Sequence, residues 1–206
     1  MSETAAPVLP WIPAATLLPR HVWFLVAGAA GGVGTTTLAA LLATALAART
    51  GVAPRLVDHT GGVLAGRIST ALVTSPHTVQ DIGPFAADAT RLLASPNAHP
   101  VIVTSPERDD ADTAMFALQT LTGVAPTPAP LTGAPPHPHG IIVINSTSRR
   151  RSPQAAAGRL ARIAPGAPLV ALEWDPALAV PGPIDPATLA PPTTDALAAI
   201  LRAFGV

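Results

Sequence analysis

Lysine is absent from this chain of 206 residues, and all twelve of its basic side chains are arginine. Tyrosine is absent as well, so a Tyr-x-x-x-Lys catalytic pair is excluded outright. Cysteine is missing too, which removes disulfides and thiolate metal sites and fits a cytoplasmic location. Charge is scarce: only 12% of residues carry it, and twelve acids balance the twelve arginines. No global basic field exists to hold an anionic membrane, and no sequence-specific nucleic acid is expected as a partner.

What is present is apolar. Hydrophobic residues make up 49% of the chain, too many for a disordered protein and enough for one full core. Residues 22–48 carry no formal charge, a run long enough to span a bilayer. A cluster of glycines between Gly28 and Gly34 and three consecutive threonines interrupt it, so no membrane span is expected.

Proline content separates the ends and loops from the folded body. Residues 1–20 read as a flexible, proline-containing leader, and 21–206 as a single domain. Within the domain, 22–27 reads as a buried strand and 35–49 as a helix capped by Gly51. Residues 54–58 read as a second strand ending on Asp58. Between 68 and 82 the pattern leaves two strand candidates, 71–73 and 78–82. A helix is expected over 84–94, a strand over 100–104, and a helix over 111–121 behind Asp109 and Asp110. Residues 124–139 read as a proline-rich surface loop. Strands at 141–144 and 168–172 flank a helix at 154–163, and a proline-rich stretch over 176–192 leads to a last helix at 194–204. Short apolar runs alternating with helices predict an α/β fold, with a mostly parallel central sheet and helices on both faces. Ligands in such sheets sit beyond the carboxyl ends of the strands.

The chemistry concentrates after the first strand. Gly28-Ala29-Ala30-Gly31-Gly32-Val33-Gly34 joins that strand to a helix opening Thr35-Thr36-Thr37. Strand, glycine loop and helix form the arrangement that cradles phosphate on backbone N–H groups at a helix N-terminus. Asp58 ends the second strand, and Asp81-Ile82-Gly83-Pro84 places another acid before a turn. Asn145 ends a later strand. Arg149-Arg150-Arg151 reads as a solvated face, His137-Pro138-His139 lacks the acids a metal site needs, and Trp23 and Phe24 read as core.

The run from Ala30 to Thr37 resembles the deviant Walker A motif of the ParA/MinD-type ATPases, and the resemblance extends in order over residues 22–204. It implies a P-loop NTPase-like fold and a cofactor of ATP or ADP with Mg²⁺. It assigns nucleotide contacts to Gly31, Gly32, Val33, Gly34, Thr35, Thr36, Thr37, Asp58 and Asn145. It assigns metal ligation to Thr36 and Asp81, and base recognition to Asn145. It also implies a homodimer or a protein-assembly partner. Ala30 stands where the family's signature lysine would be, Thr35 where its P-loop lysine would be, and Thr60 where its water-activating aspartate would be. The expected protein is therefore a nucleotide-binding switch or scaffold that is at most a weak ATPase, unless Arg67, Arg108 or Arg149 replaces the missing charge. Two other readings stay open. The spacing Gly28-x-x-Gly31-x-x-Gly34 with Asp58 also fits a noncatalytic NAD(P)-binding Rossmann domain, and a ligand-free structural pseudo-ATPase fits the missing charges.

Overall fold

The computed structural model describes residues 21–68, 76–84, 98–124, 140–163 and 168–206. The elements follow one another as β1 (Trp23–Gly28), α1 (Thr35–Thr50), β2 (Arg55–Asp58), β3 (Thr78–Pro84), β4 (Ala98–Thr104), α2 (Arg108–Val124), β5 (Ile141–Asn145), α3 (Pro153–Ile163), β6 (Leu169–Leu172), α4 (Pro176–Ala179) and α5 (Pro191–Ala203). The six strands form one sheet in the order β2-β3-β1-β4-β5-β6, and every neighbouring pair is parallel. The expected parallel α/β fold is present.

Alternation along β1 divides the core between the two faces of the sheet. Val22, Phe24 and Val26 pack with α1 and α5 on one face, while Leu25 and Ala27 pack with α2 and α3 on the other. Phe24 is fully buried, whereas Trp23 is half-buried at the rim of the second layer. Helix α1 is apolar almost all round, which suits a helix enclosed between the sheet and α5. The uncharged run of residues 22–48 is thus a central strand, a loop and a buried helix. No helix among the described residues is long and apolar enough to cross a membrane.

Some boundaries move for local reasons. β3 runs to Pro84, which pairs with Gly28, so that proline ends a strand and does not open a helix. The remainder of the helix expected over 84–94, the strand candidate at 71–73, the leader and the 125–139 loop lie outside the described residues. α2 begins at Arg108, taking Asp109 and Asp110 into its first turn. α5 begins at Pro191, since a proline in the first turn forfeits no intrahelical hydrogen bond.

Candidate functional site

The glycine loop leaves the carboxyl end of β1, the strand flanked by β3 and β4. Ala29 N–H donates to Val103 O (2.7 Å), fixing where the chain departs from the sheet. Gly34 caps α1 with φ of 89°, a left-handed conformation that glycine adopts without strain. A Cβ at Gly34 would also overlap the Asn145 amide nitrogen. At Gly28 the requirement is close approach alone, because a Cβ there would overlap Oγ1 of Thr35. No side chain caps α1, and its first turn holds no acid. Among the described residues, the N–H groups of Gly31 to Thr37 donate to no backbone carbonyl. That leaves a concave set of free donors at a helix N-terminus, the physical basis of an anion site.

Two clefts flank the loop, each of about 250 Å³. The first runs from Ala30 and Gly31 through Thr35, Thr36 and Thr37 to Thr60, Gly83 and Pro84. The second shares Gly32, Gly34 and Thr37 with it and extends to Asn145, Trp174 and Leu178. Among the described residues, no arginine lines either cleft.

Asp81, beside the Thr36 side chain, is fully buried. Its Oδ1 accepts from Gly83 N–H (3.0 Å), while Oδ2 has no hydrogen-bond partner. Burial raises its pKa above the ordinary value of 3.8, and the repulsion of Asp58 adds to the rise. The Thr36 side chain, the Gly83 N–H and His59 act in the opposite direction without reversing it. The pairing of β1 with β3 shifts register directly after Asp81, where Gly83 has φ of 76°. Such irregularities re-aim side chains at strand ends. Thr36 and Asp81, both assigned to metal by the resemblance, are therefore side by side.

Asp58 takes a different part. Its Oδ1 accepts from the N–H (2.6 Å) and hydroxyl (2.7 Å) of Thr60, and its Oδ2 from Leu64 N–H (2.9 Å). Burial alone would raise its pKa, but these bonds and one from Gly62 outweigh it and leave the pKa below the ordinary value. Asp58 thus shapes the loop that carries Thr60 to the first cleft. Asn145 lines the second cleft, and its amide donates to Val33 O (2.8 Å), clamping the glycine loop from β5. Val33 itself points into the core. Gly31, Gly32, Gly34, Thr35, Thr36 and Thr37 all line one or both clefts.

The candidate arginines separate. The Arg67 guanidinium is spent on three backbone carbonyls. Arg149 lies over the Trp174 ring, 4.4 Å from its centroid, and Arg151 pairs with Glu107. For Arg108 the described structure gives the backbone alone.

Sequence reading missed Trp174, Leu178 and Gly83. Trp174 follows β6 closely, and its position beyond a strand's carboxyl end was the available signal. Among the described residues no group of three or more histidines and acids is placed to hold a metal. A scan of family models finds none that matches the chain, and a search of curated proteins finds no match. Fold and site define a parallel α/β protein with an open glycine loop at the carboxyl end of a central strand.

Proposed function

We propose that this protein is a nucleotide-binding switch or scaffold resembling the ParA/MinD-type ATPases. It holds ATP or ADP with Mg²⁺ weakly, hydrolyses it negligibly, and uses the bound state to position a homodimer or a larger protein assembly. One observation carries the reading: a fully buried carboxylate oxygen without a partner, on Asp81, next to Thr36, whose N–H is one of the free donors.

These groups suit Mg²⁺. That ion takes few protein ligands, often one or two oxygens, and completes its shell with water and phosphate oxygens. When bound it neutralises phosphate charge. The loop N–H groups cradle the phosphates, and Gly34 and Asn145 hold the loop in shape. Thr35 supplies a hydroxyl where a lysine would supply a cation, and a charge-assisted hydrogen bond is worth about 1.5–3 kcal/mol. Binding survives that deficit better than hydrolysis, because charge at the transferring phosphoryl group goes uncompensated.

The strand order favours this reading over the dinucleotide one. In the Rossmann order the second strand lies beside the first and brings its terminal acid to the ribose. Here β3 intervenes between β1 and β2, and both oxygens of Asp58 are engaged within its own loop.

Titration of the wild type and Thr35→Lys against ATP and NAD(P), with and without Mg²⁺, tests the proposal. The variant gains about tenfold for ATP, the equivalent of one added charge-assisted bond, and less for NAD(P), which has no γ-phosphate. An equal gain for both ligands counts against the ParA/MinD-like reading. Absence of binding by either form favours the ligand-free pseudo-ATPase.

A further inference from the structure

The second cleft has a wall that cannot stand alone. It includes Trp174, which precedes the N-cap of the four-residue helix α4, and Leu178 within that helix. A single helical turn has no intrinsic stability and must be held at its ends. The N-terminal end is held by Asp175, which is buried. Its Oδ1 accepts from Ala177 N–H (3.0 Å), and its Oδ2 from Ala190 N–H (2.8 Å) and the Thr193 hydroxyl (2.7 Å). The C-terminal end is held by Arg67. Its Nη2 donates to Leu178 O (2.8 Å), and its Nη1 to Val180 O (2.6 Å) and Gly182 O (3.1 Å). The backbone closes the same junction, because Ile184 N–H donates to Arg67 O (2.9 Å).

Arg67 is not remote from the first cleft. Its N–H donates to Leu64 O (3.0 Å), and Leu64 N–H donates to Asp58, whose other oxygen holds Thr60 at that cleft. One hydrogen-bonded path therefore runs from Thr60, at the first cleft, through Asp58, Leu64 and Arg67 to Leu178, at the second.

We infer that Arg67 is a positioning residue for the ligand portion that enters the second cleft. Resting on the nucleotide reading above, the inference places phosphates in the first cleft and the nucleoside in the second, with Arg67 fixing the wall the nucleoside meets. Arg67 does not touch ligand and does not replace the missing lysine. It acts through Leu178 and the carbonyls that follow.

The test compares wild type, Arg67→Met and Arg67→Lys. Calorimetric affinities are measured for Mg·ATP and for Mg·tripolyphosphate, which lacks the nucleoside. Hydrogen exchange of the ligand-free proteins is followed at residues 174–182 and 28–37. In Arg67→Met, ATP affinity falls about tenfold or more, the loss expected for charge-assisted bonds to the wall, while tripolyphosphate affinity changes less than about threefold. Exchange accelerates at 174–182 and stays unchanged at 28–37. Arg67→Lys keeps a donor and a charge, restores part of the ATP affinity, and serves in place of Arg67→Met should that variant fail to fold. Equal losses for both ligands, or unchanged exchange at 174–182, overturn the inference and leave Arg67 as general scaffolding. Wild type that binds neither ligand overturns the nucleotide reading itself. Wild type that binds both, with unchanged ATP affinity in the variants, overturns only the role of Arg67.

Discussion

Asp81→Asn is the perturbation with the clearest sign. The wild-type carboxylate is fully buried, one oxygen takes a single backbone N–H, and the other has no partner. Leaving a buried polar group unsatisfied costs about 1–3 kcal/mol, and a charge costs more. Asparagine keeps the oxygen that Gly83 needs, removes the charge, and directs an amide donor towards the Thr36 hydroxyl. The ligand-free variant is therefore expected to be more stable than wild type by about 1–3 kcal/mol at neutral pH, or about 2–4 °C in melting temperature per kcal/mol for a domain of this size. Circular dichroism melts, repeated with Mg·ATP, supply the second half of the test. Wild type gains stability from the ligand, and the variant, lacking an anionic metal ligand, loses most of that gain. The pH dependence has a definite direction. A carboxyl whose folded pKa is raised is favoured in its protonated form, so the variant's advantage is full above that raised value. It shrinks as pH falls towards 3.8. A ligand-free variant less stable than wild type at neutral pH would refute the reasoning.

Two further outcomes follow from geometry already described. Gly34→Ala forces a side chain into a left-handed conformation and onto the Asn145 amide, so chemical denaturation should show a loss of about 2–4 kcal/mol together with lost nucleotide binding; a loss below ~0.5 kcal/mol would contradict the described loop. His77 is buried, and its Nδ1 accepts from Val22 N–H (3.2 Å). Burial first, and then His21, lower its pKa from 6.5, so stability present above pH 6.5 is lost as pH falls from there towards the lowered folded value. His77→Asn flattens that segment of a urea-denaturation pH series, and an unchanged slope between wild type and variant would remove His77 as its cause.

Much of the fold was legible because the strands β1, β4 and β5 are short apolar runs, the pattern of strands covered on both faces. β3 was harder to read. Its centre is Gln80-Asp81, polar residues in a central strand, and each is there for its own reason. Gln80 accepts from the Trp23 ring nitrogen (3.1 Å) and bonds His59 (2.6 Å), just beyond the end of β2, while Asp81 accepts from Gly83 N–H beside Thr36. Polar side chains placed in a central strand remove the hydrophobic signal a strand normally shows. The glycine loop announced itself through residue types that only a close backbone approach requires. The roles of Asp58 and Asn145 did not, since an acid or amide at a strand end reads alike whether it faces a ligand or clamps a neighbouring loop. Arg67 stood out only as a candidate for the missing charge; its hold on the 178–182 carbonyls gave no signal, because any residue can present a backbone carbonyl.

The placement of β1 sets when the cleft comes into existence. Trp23 at its start pairs with Thr78 on one side and Ala98 on the other, both far along the chain. β1 has no hydrogen-bonded neighbour in β2, the strand that follows it, so no local hairpin can shape the loop early. Loop closure must precede the contacts with β3, β4 and β5 that hold Gly28 to Gly34, which favours slow, cooperative folding of this region. A chain still emerging from synthesis has the glycines in place long before it has a site, and under the proposed nucleotide reading ligand capture would report that β3, β4 and β5 have all docked.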